Sequence, residues 1–560
     1  MGSSVKKKLA GLGGAALSTF VLIPSRVGAQ PYVLQSADVF APLPAGVGTP
    51  VTMLTRSAGD WNGDGWSDLG IAWGANLYVF PAIFRVHSGR DFSVIYELAS
   101  GWISTPGQTQ FERFNALGFG DVNGEGIPDV VLGNPDASPG GVAFSGRVEV
   151  RSAPTGQLIY ELAGAQVGDA LGHQVEVVGD VTGDGAADFL ALAPGVATSG
   201  GPNAGAVYLF EGAYGGVLQA YYGSAAEFYA QSSRFAGLGD IDIDGVPDFA
   251  ITRVFNAVAG YGVPGRVTIY SGANPAQVIR EHVAWPSGEG FCYAGLFSTG
   301  DGDGDGVPEY VIGNSLYPVG SVLFPSPGRA WLYSGATGMV LVAYFPPPGV
   351  WRVGERGGAL EDLDGDGYPE VLLSASGYNS GWNPPGNPSI LIYAGGSGTV
   401  IQSLTNPYGL DFGNRLTTIN DGKLSFTEGV SAGYLLRYDR SFVSVSPNPV
   451  PVGGTATFDF NLPTEPSGVF HLYFSASTAQ GIQLGSRRFA LDADPLFWTS
   501  AQVVAFDGVL DLAGTAAISI PVPNDPALSG VSVFYAAVTL DATFPYGARS
   551  IGTARAVTIQ

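Results

Sequence analysis

A nine-residue acidic segment recurs six times along this chain, each time without a gap. The copies are DWNGDGWSD from Asp60, DVNGEGIPD from Asp121, DVTGDGAAD from Asp180, DIDIDGVPD from Asp240, DGDGDGVPE from Asp301 and DLDGDGYPE from Asp362. Their first residues stand 61, 59, 60, 61 and 61 positions apart. A period this even marks one supersecondary unit copied along the sequence, each copy burying its apolar face against the next.

Within each period the order of elements repeats. A short strand leads into the acidic segment, and an apolar strand leaves it, as at Val130-Val131-Leu132 or Val371-Leu372-Leu373. After a variable Gly/Pro-rich stretch comes a strand such as GRVEV from Gly146, GAVYLF from Gly205, GRVTIY from Gly265 or GRAWLY from Gly328. A fourth follows, as at 157–162 or 278–283. Four antiparallel strands per unit make the blade of a β-propeller. One period beyond Asp362, Asn420-Asp421-Gly422 survives between RLTTI and KLSF with the acidic segment deleted, which reads as a seventh, degenerate blade. Its third strand falls at 434–438, and residues 32–40, ahead of the first blade, are expected to supply the missing fourth strand and close the ring.

The acidic segments carry metal chemistry. Calcium takes six to eight oxygens, and a tight loop offering side-chain oxygen at positions 1, 3, 5 and 9 and a carbonyl at 7 supplies them. Every copy fits: Asp60, Asn62, Asp64, Trp66 and Asp68; Asp121, Asn123, Glu125, Ile127 and Asp129; Asp180, Thr182, Asp184, Ala186 and Asp188; Asp240, Asp242, Asp244, Val246 and Asp248; Asp301, Asp303, Asp305, Val307 and Glu309; Asp362, Asp364, Asp366, Tyr368 and Glu370. Glycine holds position 6 throughout, where the turn wants positive φ. The last acid at position 9 rather than 12, followed by a strand, separates these loops from EF-hands. Taken singly, each would pass for an ordinary Asp-Gly turn. Six in register with oxygen-only donors point to calcium, up to six ions, over zinc or copper. The three loops from Asp240 onward carry four carboxylates each and the earlier three carry three.

From about 441 the repeat stops. Alternating segments at 455–460, 470–474, 517–522 and 531–538 read as a β-sandwich of about 120 residues entered through SPNP at Ser446. The fold class is therefore all-β: residues 30–440 a seven-bladed propeller with calcium-binding loops, residues 441–560 a β-sandwich. Residues 1–29 carry Lys6, Lys7 and Lys8, an apolar run to Ile23 and Val27-Gly28-Ala29, the pattern of a secretory signal cleaved near Ala29. Its removal, with Arg26, would take the formal charge from −23 to −27. Nucleic acid and anionic membranes are poor partners for such a chain. The expected location is extracellular or cell-surface, without membrane insertion. Cys292 is the only cysteine, so no internal disulfide contributes.

The run from Leu171-Gly172 through Gly179-Asp180 to Ala193-Pro194, then Gly205-Ala206-Val207-Tyr208, resembles the FG-GAP repeat of integrin α-subunit propellers. The resemblance covers about 30–440 and departs at the FG and GAP corners, as at Gly133-Asn134-Pro135 and Gly313-Asn314. It brings no inserted adhesion domain, so integrin ligand chemistry does not carry over. Gly89-Arg90-Asp91 reads as a hairpin turn. The C-terminal sandwich resembles modules of exported bacterial proteins.

The functional expectation is a binding or adhesion module for an extracellular glycan or protein. The loops joining second and third strands carry Phe144, Phe255, Tyr261, Tyr317, Phe324, Tyr378 and Trp382, opposite the acidic loops, and apolar platforms of this kind suit sugar or protein surfaces. Two alternatives stand beside it: a polysaccharide lyase or hydrolase on a propeller scaffold, and a passive component of a surface assembly. Beyond the signal, the chain offers His87, His173, His282, His471 and one lysine, Lys423, and no catalytic residue is assigned.

Overall fold

The computed structural model describes residues 33–39, 52–63, 67–74, 83–89, 93–99, 104–105, 108–109, 114–224, 227–255, 265–283, 295–315, 327–360, 362, 366–375, 389–405, 415–419, 423–427, 434–439, 443–462, 467–478, 482–484, 487–489, 491–540, 548–552 and 554–560. The leader at 1–29, Asn420 to Gly422, Cys292, Asp64, Trp66 and Asp364 lie outside them.

Each acidic segment joins the first two strands of an antiparallel sheet. In sheet 1 the strands are Thr52–Gly59, Asp68–Gly74, Ile83–His87 and Val94–Ala99. Sheet 2 comprises Ala116–Gly120, Asp129–Asn134, Arg147–Ser152 and Gln157–Ala163. Sheet 3 comprises Val175–Gly179, Asp188–Ala193, Ala206–Phe210 and Val217–Tyr222. Sheet 4 runs Phe235–Gly239, Asp248–Phe255, Gly265–Tyr270 and Val278–Val283, with Glu227–Phe228 added against its second strand. Sheet 5 comprises Leu296–Gly300, Glu309–Asn314, Arg329–Tyr333 and Val340–Tyr344; sheet 6, Val353–Ala359, Val371–Ala375, Ser389–Tyr393 and Val400–Thr405. A further sheet combines Arg415–Ile419, Lys423–Thr427 and Tyr434–Asp439 with Val33–Val39 from the other end of the repeat region. Val33 faces Asp439 and Val39 faces Tyr434 in that antiparallel pairing.

First strands pack side by side in chain order, and Thr52–Gly59 also packs against Arg415–Ile419, so the contact returns to its start. The result is an all-β propeller. Its second strands are buried along their whole length in sheets 2, 3, 5 and 6, whereas fourth strands alternate or are largely exposed. Apolar side chains meet between successive sheets: Val131 and Val148 with Phe189 and Ala191, then Leu190 and Leu209 with Phe249 and Ile251, then Val267 and Ile269 with Tyr310 and Ile312. Burial of this kind, worth about 25 cal/mol per Å² of apolar surface, holds one unit on the next.

A polar contact repeats beside the apolar one. The tip of a fourth-strand side chain reaches a carbonyl in the turn between third and fourth strands of the next sheet. Tyr160 donates to Gly212 (2.5 Å), Tyr221 to Pro275 (2.6 Å), Arg280 to Gly335 (2.7 Å) and Tyr344 to Gly395 (3.0 Å), while Tyr96 makes a looser approach to Gly156 (3.5 Å). A buried hydroxyl needs such a partner, which explains why tyrosine recurs at the apolar edge of these strands.

Beyond the repeats, Val443–Ser446, Thr455–Asn461 and Thr515–Pro521 form one sheet. Asp507–Val509, Val469–Ser475, Ser532–Leu540, Ala548–Ile551 and Arg555–Thr558 form a second. Phe458 and Phe460 from the first share a core with Phe470, Leu472, Phe474 and Tyr535 from the second, which makes a sandwich. The far face of the second sheet is covered by a short helix, Pro495–Ser500, capped by Asp494, through Phe497 against Ala536 and Val538.

Candidate metal centre

The acidic loops begin with a change of backbone course. In sheets 1, 3, 4 and 5 the register shifts at the end of the first strand, where Gly59, Gly179, Gly239 and Gly300 have φ of +62°, +95°, +80° and +77°. This is a bulge built on a left-handed glycine, and it swings the chain out of the sheet into the loop. A Cβ at Gly239 would lie 2.9 Å from Pro308, the eighth residue of the next loop, and one at Gly59 would lie 2.8 Å from Pro128. Neighbouring loops therefore touch along one rim. Between sheets 2 and 3 the touch is a hydrogen bond, from Ala187 N–H to the Asp121 carbonyl at 2.7 Å.

Within a loop the acids divide the work. The first aspartate accepts backbone N–H groups from the loop's own turn: Asp121 from Glu125 and Gly126, Asp180 from Gly183, Asp184 and Gly185, Asp240 from Asp244 and Gly245, Asp301 from Gly304 and Gly306. Asp362 accepts from Gly367. The fifth residue turns its carboxylate onto the N–H of the seventh, as Asp184 does to Ala186, Asp244 to Val246, Asp305 to Val307 and Asp366 to Tyr368, each at 2.9 Å. The loop is thereby wound on its own carboxylates, with the N–H of the seventh residue tied to the fifth.

The ninth residue is fully buried in all six loops: Asp68, Asp129, Asp188, Asp248, Glu309 and Glu370. One oxygen accepts from residues two and three, namely Trp61 and Asn62, Val122 and Asn123, Val181 and Thr182, Ile241 and Asp242, or Gly302 and Asp303. In the aspartate loops the other oxygen takes an N–H from the turn after the third strand: Gly89 (2.9 Å), Ala153 (3.1 Å), Gly212 (2.8 Å) and Gly272 (2.8 Å). Sequence reasoning missed these donors. Their signal is the glycine two residues beyond the third strand, where a Cβ at Gly272 would stand 2.0 Å from the Pro247 carbonyl and one at Gly212 2.0 Å from that of Ala187.

Glu309 breaks the pattern: its Oε1 is buried and meets no hydrogen-bond donor. Carboxylate oxygens of Asp301, Asp303 and Glu309 lie within 4.8 Å of one another, as do those of Asp240, Asp242 and Asp248. Positions 1, 3 and 9 thus converge in two loops of the four-carboxylate class, while position 5 faces its own turn. Asp364, the corresponding residue at Asp362, and Asp64 and Trp66 at Asp60 are beyond the described residues. The electrostatics follow. Burial pushes Asp129 and Asp248 up to about 6, against the pull of their N–H donors. Burial, then negative neighbours, raises Asp242; burial also raises Asp188, Glu309 and Asp366. Asp180 moves the other way, because its backbone donors and Thr182 together outweigh burial. Oxygen-only clusters able to hold a hard divalent cation are present, and an orphaned, buried Oε1 is an oxygen that such a cation satisfies.

Among the aromatic residues expected on the opposite loops, Phe144 is exposed at 51% with φ +51°, its N–H donating to Ser138 Oγ. Tyr261, Tyr317, Phe324, Tyr378, Trp382 and the Phe255 side chain lie outside the described residues. His282 Nε2 lies 2.7 Å from the Tyr310 hydroxyl, and the His173 N–H donates to Leu192 within sheet 3. In the sandwich, His471 sits between Asp507 Oδ1 (2.5 Å) and the Ser500 carbonyl (3.2 Å), while the Ser500 hydroxyl is turned onto the Phe497 and Phe474 carbonyls. The group ties a helix to its sheet.

No family model matches the chain. It is 30% identical to human integrin alpha-IIb over 171 residues, 28% of this chain and 16% of the integrin. To integrin alpha-PS2 of Drosophila melanogaster it is 29% identical over 216 residues, 35% of this chain and 14% of the relative. To integrin alpha-5 of Xenopus laevis it is 28% identical over 212 residues, 35% and 19% of the two chains. The match thus spans less than a fifth of each relative's length. The sheet order, the acidic loops and these partial matches together support an integrin α-like FG-GAP family for the repeats.

Proposed function

We propose that this chain is a secreted, calcium-binding FG-GAP propeller that serves as a binding or adhesion module for extracellular protein or glycan. The observation that carries the reading is the convergence of carboxylate oxygens from Asp301, Asp303 and Glu309, with Glu309 Oε1 buried and orphaned, and the like convergence of Asp240, Asp242 and Asp248. Residues at positions 1, 3 and 9 would hold the ion with the carbonyl at 7, and water would complete six to eight oxygens. The ion would neutralise carboxylates that burial and mutual repulsion now disfavour. Residues 30–440 would form the propeller unit and 441–560 a sandwich unit.

A binding role is supported by two features. The integrin α relatives suggest an adhesion type of module, and the acidic rim is committed to its own turns, which leaves the opposite loops to meet a partner. Among the described residues no helix is long and apolar enough to cross a membrane.

The test is an array of extracellular glycans and matrix proteins probed with the protein in calcium and in excess chelator. Saturable, calcium-dependent binding is the expected result. Depolymerised polysaccharide would favour the enzyme, and silence across the array would favour a passive structural component.

A further inference from the structure

The sequence holds two Asn-Gly pairs, Asn62-Gly63 and Asn123-Gly124, and both fall at the third and fourth positions of an acidic loop. The other four loops place Thr182, Asp242, Asp303 and Asp364 at the third position. The fold itself demands the glycine. Gly124 has φ of +74°, as Gly183 does in the next loop, and a Cβ on it would stand 3.2 Å from the Gly185 carbonyl oxygen. Asparagine followed by glycine is the pair in which a main-chain nitrogen most readily attacks the side-chain carboxamide, because no Cβ shields that nitrogen.

The loop of sheet 2 is arranged for this attack. Asn123 Oδ1 accepts the Glu125 N–H at 3.0 Å, which folds the carboxamide back over the intervening Gly124 nitrogen and polarises its carbonyl. Its Nδ2 is drawn toward Asp129 Oδ1, 3.4 Å away. In the loops of sheets 3 and 5 the equivalent glycine is tied down by the first aspartate, Gly183 N–H donating to Asp180 at 2.6 Å and Gly304 N–H to Asp301 at 2.7 Å. Asp121 instead accepts from Glu125 and Gly126, and the Gly124 N–H meets no acceptor among the described residues. Gly124 is exposed, so solvent base and water reach it.

We propose that Asn123 is a self-modification site, deamidated through the main chain of Gly124. The Gly124 nitrogen gives its proton to solvent base and bonds to Asn123 Cγ; the Cγ–Nδ2 bond breaks, and Nδ2 takes up a proton and leaves as ammonia. One water molecule then opens the resulting cyclic imide at either carbonyl, to aspartate or to isoaspartate. Ammonia is exchanged for water, and nothing is oxidised or reduced. The aspartate product gives this loop four carboxylates, with Asp121, Glu125 and Asp129, the number carried by the loops from Asp240 onward. The isoaspartate product lengthens the main chain ahead of Gly124 and shifts the Glu125 and Gly126 N–H groups away from Asp121. The chemistry needs no metal; its effect on calcium rests on the function proposed above.

The experiment incubates the full chain in mildly alkaline buffer with chelator, beside a guanidinium-unfolded sample, and follows the tryptic peptide 114–147 by mass spectrometry. Asn115 and Asn134 lie in the same peptide without a following glycine and serve as internal controls. The amide-to-acid mass gain should be confined to Asn123, with isoaspartate detected by enzymatic methyl labelling, at a rate within about tenfold of the unfolded chain because the turn already holds the reacting atoms together. Gly124→Ala should slow the reaction at least tenfold. Should that variant fail to fold, because alanine is strained at this φ, Asn123→Gln serves instead and should gain no acid at position 123. A folded chain more than tenfold slower than the unfolded one would show that the loop protects the pair and would overturn the proposal. So would equal gain at Asn115 or Asn134. A calcium titration of Asn123→Asp separates the two readings. Deamidation without tighter calcium binding by this variant would support the modification site and count against the calcium reading, whereas tighter binding without deamidation of the parent would overturn the site alone.

Discussion

Asp248 gathers three N–H groups, two of them buried, those of Ile241 (2.6 Å) and Gly272 (2.8 Å), and the third from Asp242 (3.3 Å), and so fastens the acidic loop to a turn 24 residues further on. Deleting a carboxylate with buried donors leaves each of them unpaired, at about 1–3 kcal/mol apiece where water cannot enter. Asp248→Ala should therefore cost about 3 kcal/mol or more in chemical denaturation, with or without calcium. Asp242 is exposed, and Asp242→Asn should be nearly silent in chelator yet lose part of the calcium-dependent stabilisation. If both variants respond to calcium in the same way, positions 3 and 9 do not differ as described. The acids themselves were legible in the sequence because metal chemistry fixes residue type and spacing together. The N–H groups of Gly89, Ala153, Gly212 and Gly272 were not, since a main-chain donor leaves no side-chain signature, and Ala153 shows that even the glycine is dispensable.

At the scale of the element, sheets 1 to 6 are joined in turn by apolar packing and by polar side-chain tips. Tyr221→Phe removes the hydrogen bond to Pro275 while keeping the ring against Tyr270, 4.6 Å away between centroids, and should cost about 1 kcal/mol in a denaturant melt. The interface between sheets 4 and 5 is also sensitive to acid. Burial, then Arg280, lowers His282 to about 4, so the folded protein keeps the ring neutral beside Tyr310. The unfolded chain takes up that proton near pH 6.5. Stability from this group is thus complete above about pH 6.5, declines as pH falls, and is gone below about 4, a loss of roughly 3 kcal/mol. A His282→Gln protein should lack this component when melting temperatures are compared between pH 7 and 4, and an identical acid profile would refute it. The strand order of each repeat was readable from apolar runs and turn signals. The short helix Pro495–Ser500 was not, because six residues hold too little periodicity to stand out from a strand.

For the whole molecule, metal and ring closure bear on the same property. At an assumed ~1 mM free calcium and a dissociation constant of ~0.1 mM, each loop would add about 1.4 kcal/mol, and six would add about 8 kcal/mol, comparable to the net stability of a domain. Excess chelator should lower the melting temperature sharply, and an unchanged transition would remove calcium from the account. The pairing of Val33–Val39 with Tyr434–Asp439 covers the edge that the last sheet would otherwise expose. A chain lacking residues 33–39 should lose the cooperative transition of the repeat region and associate through the open edge, as read by calorimetry and light scattering.

That pairing also sets an order in time. The strand at 33–39 leaves the ribosome some 400 residues before its partner at 434–439, and the repeats between them can each find a neighbour as they appear. The ring itself cannot close until nearly the whole repeat region is out. Until then the earliest strand remains available to any other edge that passes, including that of a second nascent copy. Exchange of this one segment between two chains would rebuild the same hydrogen bonds in a dimer, so dilution during refolding should decide between the closed monomer and its swapped form.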